Sequence, residues 1–397
     1  MPDKTFAIPS RRELVWFVPF LCIALIALGL LRPLPHFSAP QHSRIVVDAA
    51  GRSIPIEVPY RGTALTWWGS FTNWYLEHTH SPETMLYAGG PIERARFVGT
   101  ILSWVYPELL NTDSFWQENV ISRGRGPYAE VEGLMAYNPG AYIGAGSSGG
   151  PLPLMRSVGL PVVDTWGSVR GAEAVLFQVA RIESALIQHR ERGEAMIAHY
   201  LKAFAELKQD VEPATIRQRP RTLTMGSSFR DKLRLGVSGQ RSVYVEVYYP
   251  RAGLVDASVG NIGTHDDAER ILAMDPDMVF LFGSPGDSLH MESPEEFLRD
   301  TRWQGMKAVR DRRVYRMPGR GCPAPVLVRW MAELAHPERM RPATREVLRK
   351  YVLDEYGYRM TEDQIDKVLD LEENRAQPGY ERFVRVKQDT KDAGGSR

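Results

Sequence analysis

Hydrophobic positions recur along this chain with helical or strand spacing, and one uninterrupted run stands apart from both. That run, Leu14 to Leu31, holds eighteen residues without a charge. As a helix it would measure about 27 Å, close to the roughly 30 Å hydrocarbon core of a bilayer. Farther along, Ala172–Ile187 carries Val175, Leu176, Val179, Ile182 and Leu186 on one helical face. Glu191–Gln209 continues with Met196, Ile197, Tyr200, Leu201, Phe204 and Leu207, which predicts a second, longer helix. Short apolar runs such as Ala141–Ile143 and Met278–Phe282 have strand length and no polar alternation, as expected of strands buried on both faces of a parallel sheet.

Two of these segments repeat. VEGLMAYNPGAYIGAGSSGG (131–150) aligns without a gap on AERILAMDPDMVFLFGSPGD (268–287) at a shift of 137 positions. Glu132, Ala136, Pro139, Gly146, Ser147 and Gly149 meet Glu269, Ala273, Pro276, Gly283, Ser284 and Gly286. Each copy predicts an amphipathic helix ending at Asn138-Pro139 or Asp275-Pro276, then a strand, then a Gly/Ser loop. The fold expected is therefore α/β: two related α/β lobes joined by one long backbone helix, a ligand cleft between them, and an N-terminal transmembrane segment. The expected division is a cytoplasmic tail (1–13), a transmembrane anchor or signal segment (14–32), a first lobe (33–168), connecting helices (169–211), a second lobe (212–337), C-terminal helices (338–376) and a tail (377–397). Thr361-Glu362-Asp363-Gln364 has the pattern of a capping box ahead of the last of those helices. After Gln377 the chain turns polar, and 387–397 has the composition of a disordered end.

Composition narrows the function. A net charge of +1 excludes a general nucleic-acid binder, and 43% apolar with 24% charged residues describes a globular chain. Lys4, Arg11 and Arg12 precede the apolar run, which keeps that end cytoplasmic and sends the rest across the membrane. The small-x-small site of a cleaved signal is poorly matched by Phe37-Ser38-Ala39 before Pro40, so a retained anchor is favoured. Cys22 lies inside that run, leaving Cys322 without an intrachain partner beyond it.

Gly146-Ser147-Ser148-Gly149-Gly150 matches the G-x-S-x-G pattern of a serine hydrolase. A nucleophile elbow requires a helix directly after the serine, and Pro151 and Pro153 oppose one. The repeat places Pro285 where Ser148 stands, and no partner histidine is identifiable. The loop is read instead as the wall of a cleft at the carboxyl edge of a sheet, where ligands of open α/β sheets bind. No enzymatic activity is expected.

Several further stretches carry a resemblance. VVDAAGRSIPIEVP resembles the opening β-hairpin of a known family, with Asp48 and Gly51 in the turn. RWQGMKAVRDRRVYRMPG contributes Trp303, Gly305, Ala308, Val309, Val314, Tyr315 and Pro318, and LAHPE (334–338) follows. Together with AERILAMDPDMVFLF these resemble the solute-binding proteins of ABC importers that carry iron-siderophore complexes, haem or cobalamin. The likeness covers about Arg44 to Pro337 and continues more weakly through Leu371. It implies two lobes on a single backbone helix, an extracytoplasmic location, and an ABC permease with its ATPase as partners. There are departures: Gly140 replaces the usual aspartate, and Ala252–Ser258 is an altered alanine-glycine-glycine segment. Asn73 occupies the first-lobe position at which the family carries a permease-docking glutamate.

Candidate ligand contacts follow from these loops. Trp67, Trp68, Phe71, Trp74 and Tyr75 crowd a Gly-Ser turn. Trp68 and Phe71 are candidates for an aromatic ligand face, whereas Trp74 and Tyr75 suit core packing. Arg123 and Arg125, and in the second lobe Arg230 and Arg241, could grip a carboxylate or an anionic ferric chelate, or simply be solvated surface charge. The shift of 137 pairs Tyr128 with His265 across the cleft, a pair that could also ligate haem, and Ser147 with Ser284. Glu77-His78-Thr79-His80 places two histidines about one residue, but a bare cation needs four converging ligands. The expected function is capture of an iron(III)-siderophore-type chelate for an ABC permease, without an intrinsic cofactor. Haem or cobalamin is the alternative ligand, and a membrane-anchored sensor or scaffold the alternative role.

Overall fold

The computed structural model describes residues 42–65, 69–87, 94, 97–111, 138–144, 152–165, 171–212, 218–227, 235–237, 242–258, 268–282 and 293–385. The chain opens with the predicted hairpin of β1 (Ser43–Val47) and β2 (Ser53–Glu57). Asp48 fixes its turn by accepting from the backbone amides of Ala50 and Arg52 at 3.0 and 2.9 Å. Next come β3 (Thr63–Leu65), α1 (Gly69–Thr79), β4 (Met85–Tyr87), α2 (Ile101–Val105), β5 (Ala141–Gly144), α3 (Leu152–Ser157) and β6 (Val162–Asp164). Two helices follow, α4 (Ala172–Leu186) and α5 (Arg190–Val211), separated by a reversal with Gln188 at φ 66°. The remaining strands are β7 (Arg221–Ser227), β8 (Leu235–Val237), β9 (Val255–Asp256), β10 (Met278–Leu281) and β11 (Val314–Arg316). Among and after them lie α6 (Tyr249–Ala252), α7 (Ala268–Met274), α8 (Pro294–Arg299), α9 (Lys307–Arg310), α10 (Ala324–Ala335), α11 (Thr344–Tyr356), α12 (Glu362–Val368) and α13 (Leu371–Asn374).

The strands form two mainly parallel sheets with the same order. In the first, β4-β3-β5-β6 are all parallel. In the second, β9-β7-β10-β11 repeat that arrangement, and β8 adds an antiparallel pair at the end of β7. The internal repeat is visible in the backbone. β5 and β10 are separated by the same 137 positions, and every residue of both strands is buried. Just before each strand, Asn138 (φ 46°) and Asp275 (φ 35°) hold a left-handed conformation that short polar side chains tolerate. Gly140 departs from its counterpart Asp277 for a steric reason: a Cβ there would sit 3.0 Å from the ring of Tyr60. In the second unit Asp277 instead accepts from the Arg221 amide and pairs with Lys307 at 2.5 Å.

Each sheet has its own core. Leu65, Ile143 and Val163 pack with Tyr75, Leu76 and Phe97 in the first. Leu223, Met225, Val279 and Leu281 pack with Phe297, Trp303 and Met306 in the second. Trp303, singled out in the sequence, stacks on Phe297 with ring centroids 5.5 Å apart. A third cluster gathers α5, α10, α11 and α12 about Trp330 and Tyr315. Gly193 lets α4 and α5 close on each other, since a Cβ there would lie 2.8 Å from the Ala180 carbonyl oxygen.

Two sequence expectations need correction. Leu201, placed on the apolar face of α5, is 46% exposed, because 3.6-residue periodicity carries it to the edge of the stripe. The chain does not leave the fold after Gln377: Tyr380 and Phe383 return to the core, and Tyr380 receives the indole N–H of Trp330 at 3.1 Å. The capping box forms as expected, with Thr361 accepting from the Gln364 amide and Gln364 from that of Thr361. Among the described residues no helix is long and apolar enough to cross a membrane, and Leu14–Leu31 lies outside them.

Candidate functional site

Parallel strands place their carboxyl ends on one edge, and here that edge is where the candidate loops begin. β3, β5 and β6 end at Leu65, Gly144 and Asp164, and β7, β10 and β11 at Ser227, Leu281 and Arg316. Trp68 follows β3, Ser147 follows β5, Arg230 follows β7 and Ser284 follows β10. These four residues, together with Arg123, Arg125, Tyr128, Arg241 and His265, lie outside the described residues. Phe71 falls in the first turn of α1, where the backbone alone is described.

The described residues at the second edge supply aromatic and charged groups that the sequence reading missed. Phe282, one residue past β10, is half-buried beside Gly226, where a Cβ would stand 2.5 Å from its ring. Its ring centroid lies 5.9 Å from that of Tyr244, which meets Tyr248 edge-on at 5.6 Å. Past β11, the Arg316 and Arg320 guanidiniums flank Asp370 at 3.9 and 4.0 Å, and Arg316 reaches Glu373 at 3.9 Å. Burial lifts the Asp370 carboxyl to about 7, although Arg316 and Arg320 oppose the shift. Asp370 Oδ1 and the Nε atoms of both arginines are buried without a hydrogen-bond partner among the described residues. Burial also pushes the Cys322 thiol up, which fits a small packed residue. A signal was available for Arg316, the last residue of the VYR strand, but nothing local marks its pairing with Asp370.

The two units touch through residues that follow β4 and β11 in the chain. The Ile101 amide donates to the Arg320 carbonyl at 2.9 Å, and Ile101 and Trp104 pack into the cluster about Trp330. Gly99 (φ +77°) passes under Arg320, where a Cβ would come within 2.9 Å of a guanidinium nitrogen. Asn73 is half-buried on α1, accepts from Thr100 Oγ1 at 3.4 Å and lies beside Gly321. Glu246 caps the start of α4 by accepting from the Ala172 amide at 2.6 Å, and Arg251 pairs with Glu173.

The Glu77–His80 segment is committed to neighbouring helices. His78 Nδ1 meets Glu183 Oε2 of α4 at 2.5 Å, both fully buried. Burial pushes the Glu183 carboxyl up, against the pull of His78. Glu77 Oε1 accepts from the hydroxyls of Tyr200 on α5 at 2.5 Å and Tyr351 on α11 at 3.2 Å. His80 Nε2 accepts from Arg192, and burial together with that guanidinium lowers the imidazole to about 4.

The model of the periplasmic binding protein family matches residues 81–320, more than half of the sequence. The chain belongs to that family. It is thus a non-enzymatic, extracytoplasmic solute-binding protein of the class that serves ABC permeases. No curated protein sequence matches it. Among solved structures, a periplasmic solute-binding protein of Veillonella parvula is similar at TM-score 0.64 and 19% identity, over 84% of this chain and 99% of that one. The molybdate-binding MolA of Haemophilus influenzae is similar at 0.63 and 15% identity, over 80% and 99%. The triscatecholate siderophore-binding FeuA of Bacillus subtilis, solved with ferri-bacillibactin, is similar at 0.51 and 14%, over 74% and 97%. At these identities the likeness is one of fold.

Proposed function

We propose that this binding protein captures an iron(III)-siderophore-type chelate between the carboxyl edges of its two sheets and delivers it to an ABC permease. The observation that carries this is the concentration of aromatic and cationic residues in the segments leaving those edges. Trp68 and Phe71 follow β3, Arg230 and Arg241 bracket β8, and Phe282, Tyr244, Arg316 and Arg320 stand at the second edge. A ferric chelate of catecholate or carboxylate arms is an anion with flat apolar faces, which guanidinium groups and aromatic rings recognise together. Arg123 and Arg125 from the first lobe, with Tyr128, Ser147, His265 and Ser284, complete the proposed lining. The 22-residue α5 is the backbone helix between lobes, about 33 Å long and stiff enough to limit their closure. Leu14–Leu31 tethers the receptor to the cytoplasmic membrane. Asn73 is turned inward against Thr100, so docking on the first lobe falls to more exposed side chains.

The test is to purify the full-length protein from its native envelope and measure bound metal and visible absorption together. Stoichiometric iron with a ligand-to-metal charge-transfer band is expected. A haem Soret band, a corrinoid spectrum, or metal-free protein that ignores ferric chelates would overturn the assignment.

A further inference from the structure

The family match ends at residue 320, yet the chain continues into four more helices. One side of α11 packs toward the second sheet: Leu348 and Val352 are fully buried in the cluster about Trp330, which includes Phe280 of β10 and Tyr315 of β11. Its other side faces the first unit. The Tyr351 hydroxyl donates to Glu77 of α1 at 3.2 Å, and its ring stacks on His199 of α5 at 4.8 Å. Glu355 accepts from Arg192 and His199, both on α5, and the same Arg192 nitrogen reaches His80 at the end of α1. The Tyr356 ring lies 4.7 Å from that of His80 and packs against both the first sheet's core and the cluster about Trp330.

Local propensity does not explain this arrangement. The last turn of α11 holds Asp354 and Glu355 and no basic residue, which the helix dipole disfavours. Glu355 is stabilised there by partners more than 150 positions away in sequence. Gly357, in a left-handed conformation, ends the helix directly after Tyr356.

We propose that α11 is a brace between the lobes, with Glu355 and Tyr356 as positioning residues that hold the two sheet edges at one separation before any ligand arrives. The brace presupposes that ligand binds between those edges, but the lobe geometry of the free protein can be measured without ligand. A lobe pair held in its binding geometry binds at full intrinsic affinity. One that samples other geometries loses affinity in proportion to the competent fraction.

The test uses the full-length protein carrying Cys22→Ser and Cys322→Ser, with nitroxide labels at Ser53→Cys on the first unit and Glu269→Cys on the second, both exposed positions. Pulsed electron paramagnetic resonance then reads the distance between them. The parent should give one narrow distribution. Glu355→Gln combined with Tyr356→Ala should broaden it, and Tyr356→Phe, which keeps the ring, should restore the narrow form in the presence of native Glu355. Should the double variant fail to fold, Glu355→Gln alone is read in the same way. A merely stabilising contact would lower the melting temperature and leave the distribution unchanged. A folded variant with the parent's distribution therefore overturns the brace. Titration with ferric triscatecholate separates the two proposals: broadening without any binding by parent or variant keeps the brace and removes the ligand assignment.

Discussion

Replacing His78 by leucine should expose the cost of a carboxylate left alone in a core. His78 is 1% exposed and Glu183 0%, and they meet at 2.5 Å. Glu183 Oε1 has no other partner among the described residues, so leucine would strand the whole side chain. An ion cannot remain there unpaired, and Glu183 escapes by binding a proton. At pH 7 that proton costs about 1.36 kcal/mol for each of the roughly 2.7 units above the solution value of about 4.3, or about 3.7 kcal/mol. The expected loss of stability is therefore at most about 3–4 kcal/mol, reduced by the cost that burial already imposes on the raised native carboxyl. The clearest measurement compares His78→Leu with His78→Leu/Glu183→Leu by urea denaturation at several pH values. The folded carboxyl is raised above its unfolded value, so its penalty grows as pH rises from about 4.5 and fades below it. The double variant should be more stable than the single by about 3–4 kcal/mol at pH 7 and by about 1 kcal/mol at pH 5. A gap that ignores pH, or a double variant no more stable than the single, would refute the reasoning.

Gly193→Ala should destabilise the protein by about 1–3 kcal/mol in denaturant melts, because the added methyl meets the Ala180 carbonyl between α4 and α5. His80 is held neutral to about pH 4, whereas the unfolded chain takes the proton near 6.5. Its contribution is complete above pH 6.5 and is lost as pH falls toward 4, by roughly 3 kcal/mol. His80→Gln, which keeps an acceptor for Arg192, should flatten the stability profile in that window. Carbonate extraction should leave the protein in the membrane fraction with its N-terminus at or near Met1; soluble protein beginning near Pro40 would show a cleaved signal instead.

The parts of the fold that local pattern controls were legible in the sequence. The 137-residue repeat located β5 and β10, because an apolar run after a proline is a signal contained in one segment, whereas the left-handed Asn138 and Asp275 emerged only from the backbone. Thr361 announced a cap by residue type, and the turn at Asp48 and Gly51 followed from the family resemblance. What escaped depends on residues that meet only after folding. Glu77 and Tyr351 are 274 positions apart, and neither has a neighbour that marks the pairing. Tyr380 and Phe383 sit in a polar context, so their composition argued for a tail while their side chains complete the core around Trp330. The candidate loops were named from their place after expected strands, and their side chains lie outside the described residues. Arg316, Arg320 and Phe282 required the strand ends to be known to the residue.

Titration of intrinsic tryptophan fluorescence in the full-length protein, with ferric triscatecholate, haemin and cobalamin in turn, tests the proposed function most directly. The ferric chelate should give saturable binding. Arg125→Ala and Arg241→Ala should each weaken it by about tenfold to a hundredfold, the loss of one charge-assisted contact of roughly 1.5–3 kcal/mol, with the deficit shrinking as salt rises. Trp68→Ala should weaken it at every salt concentration alike. Saturation by haemin or cobalamin with no response to any ferric chelate, or equal affinity in all three variants, would contradict it.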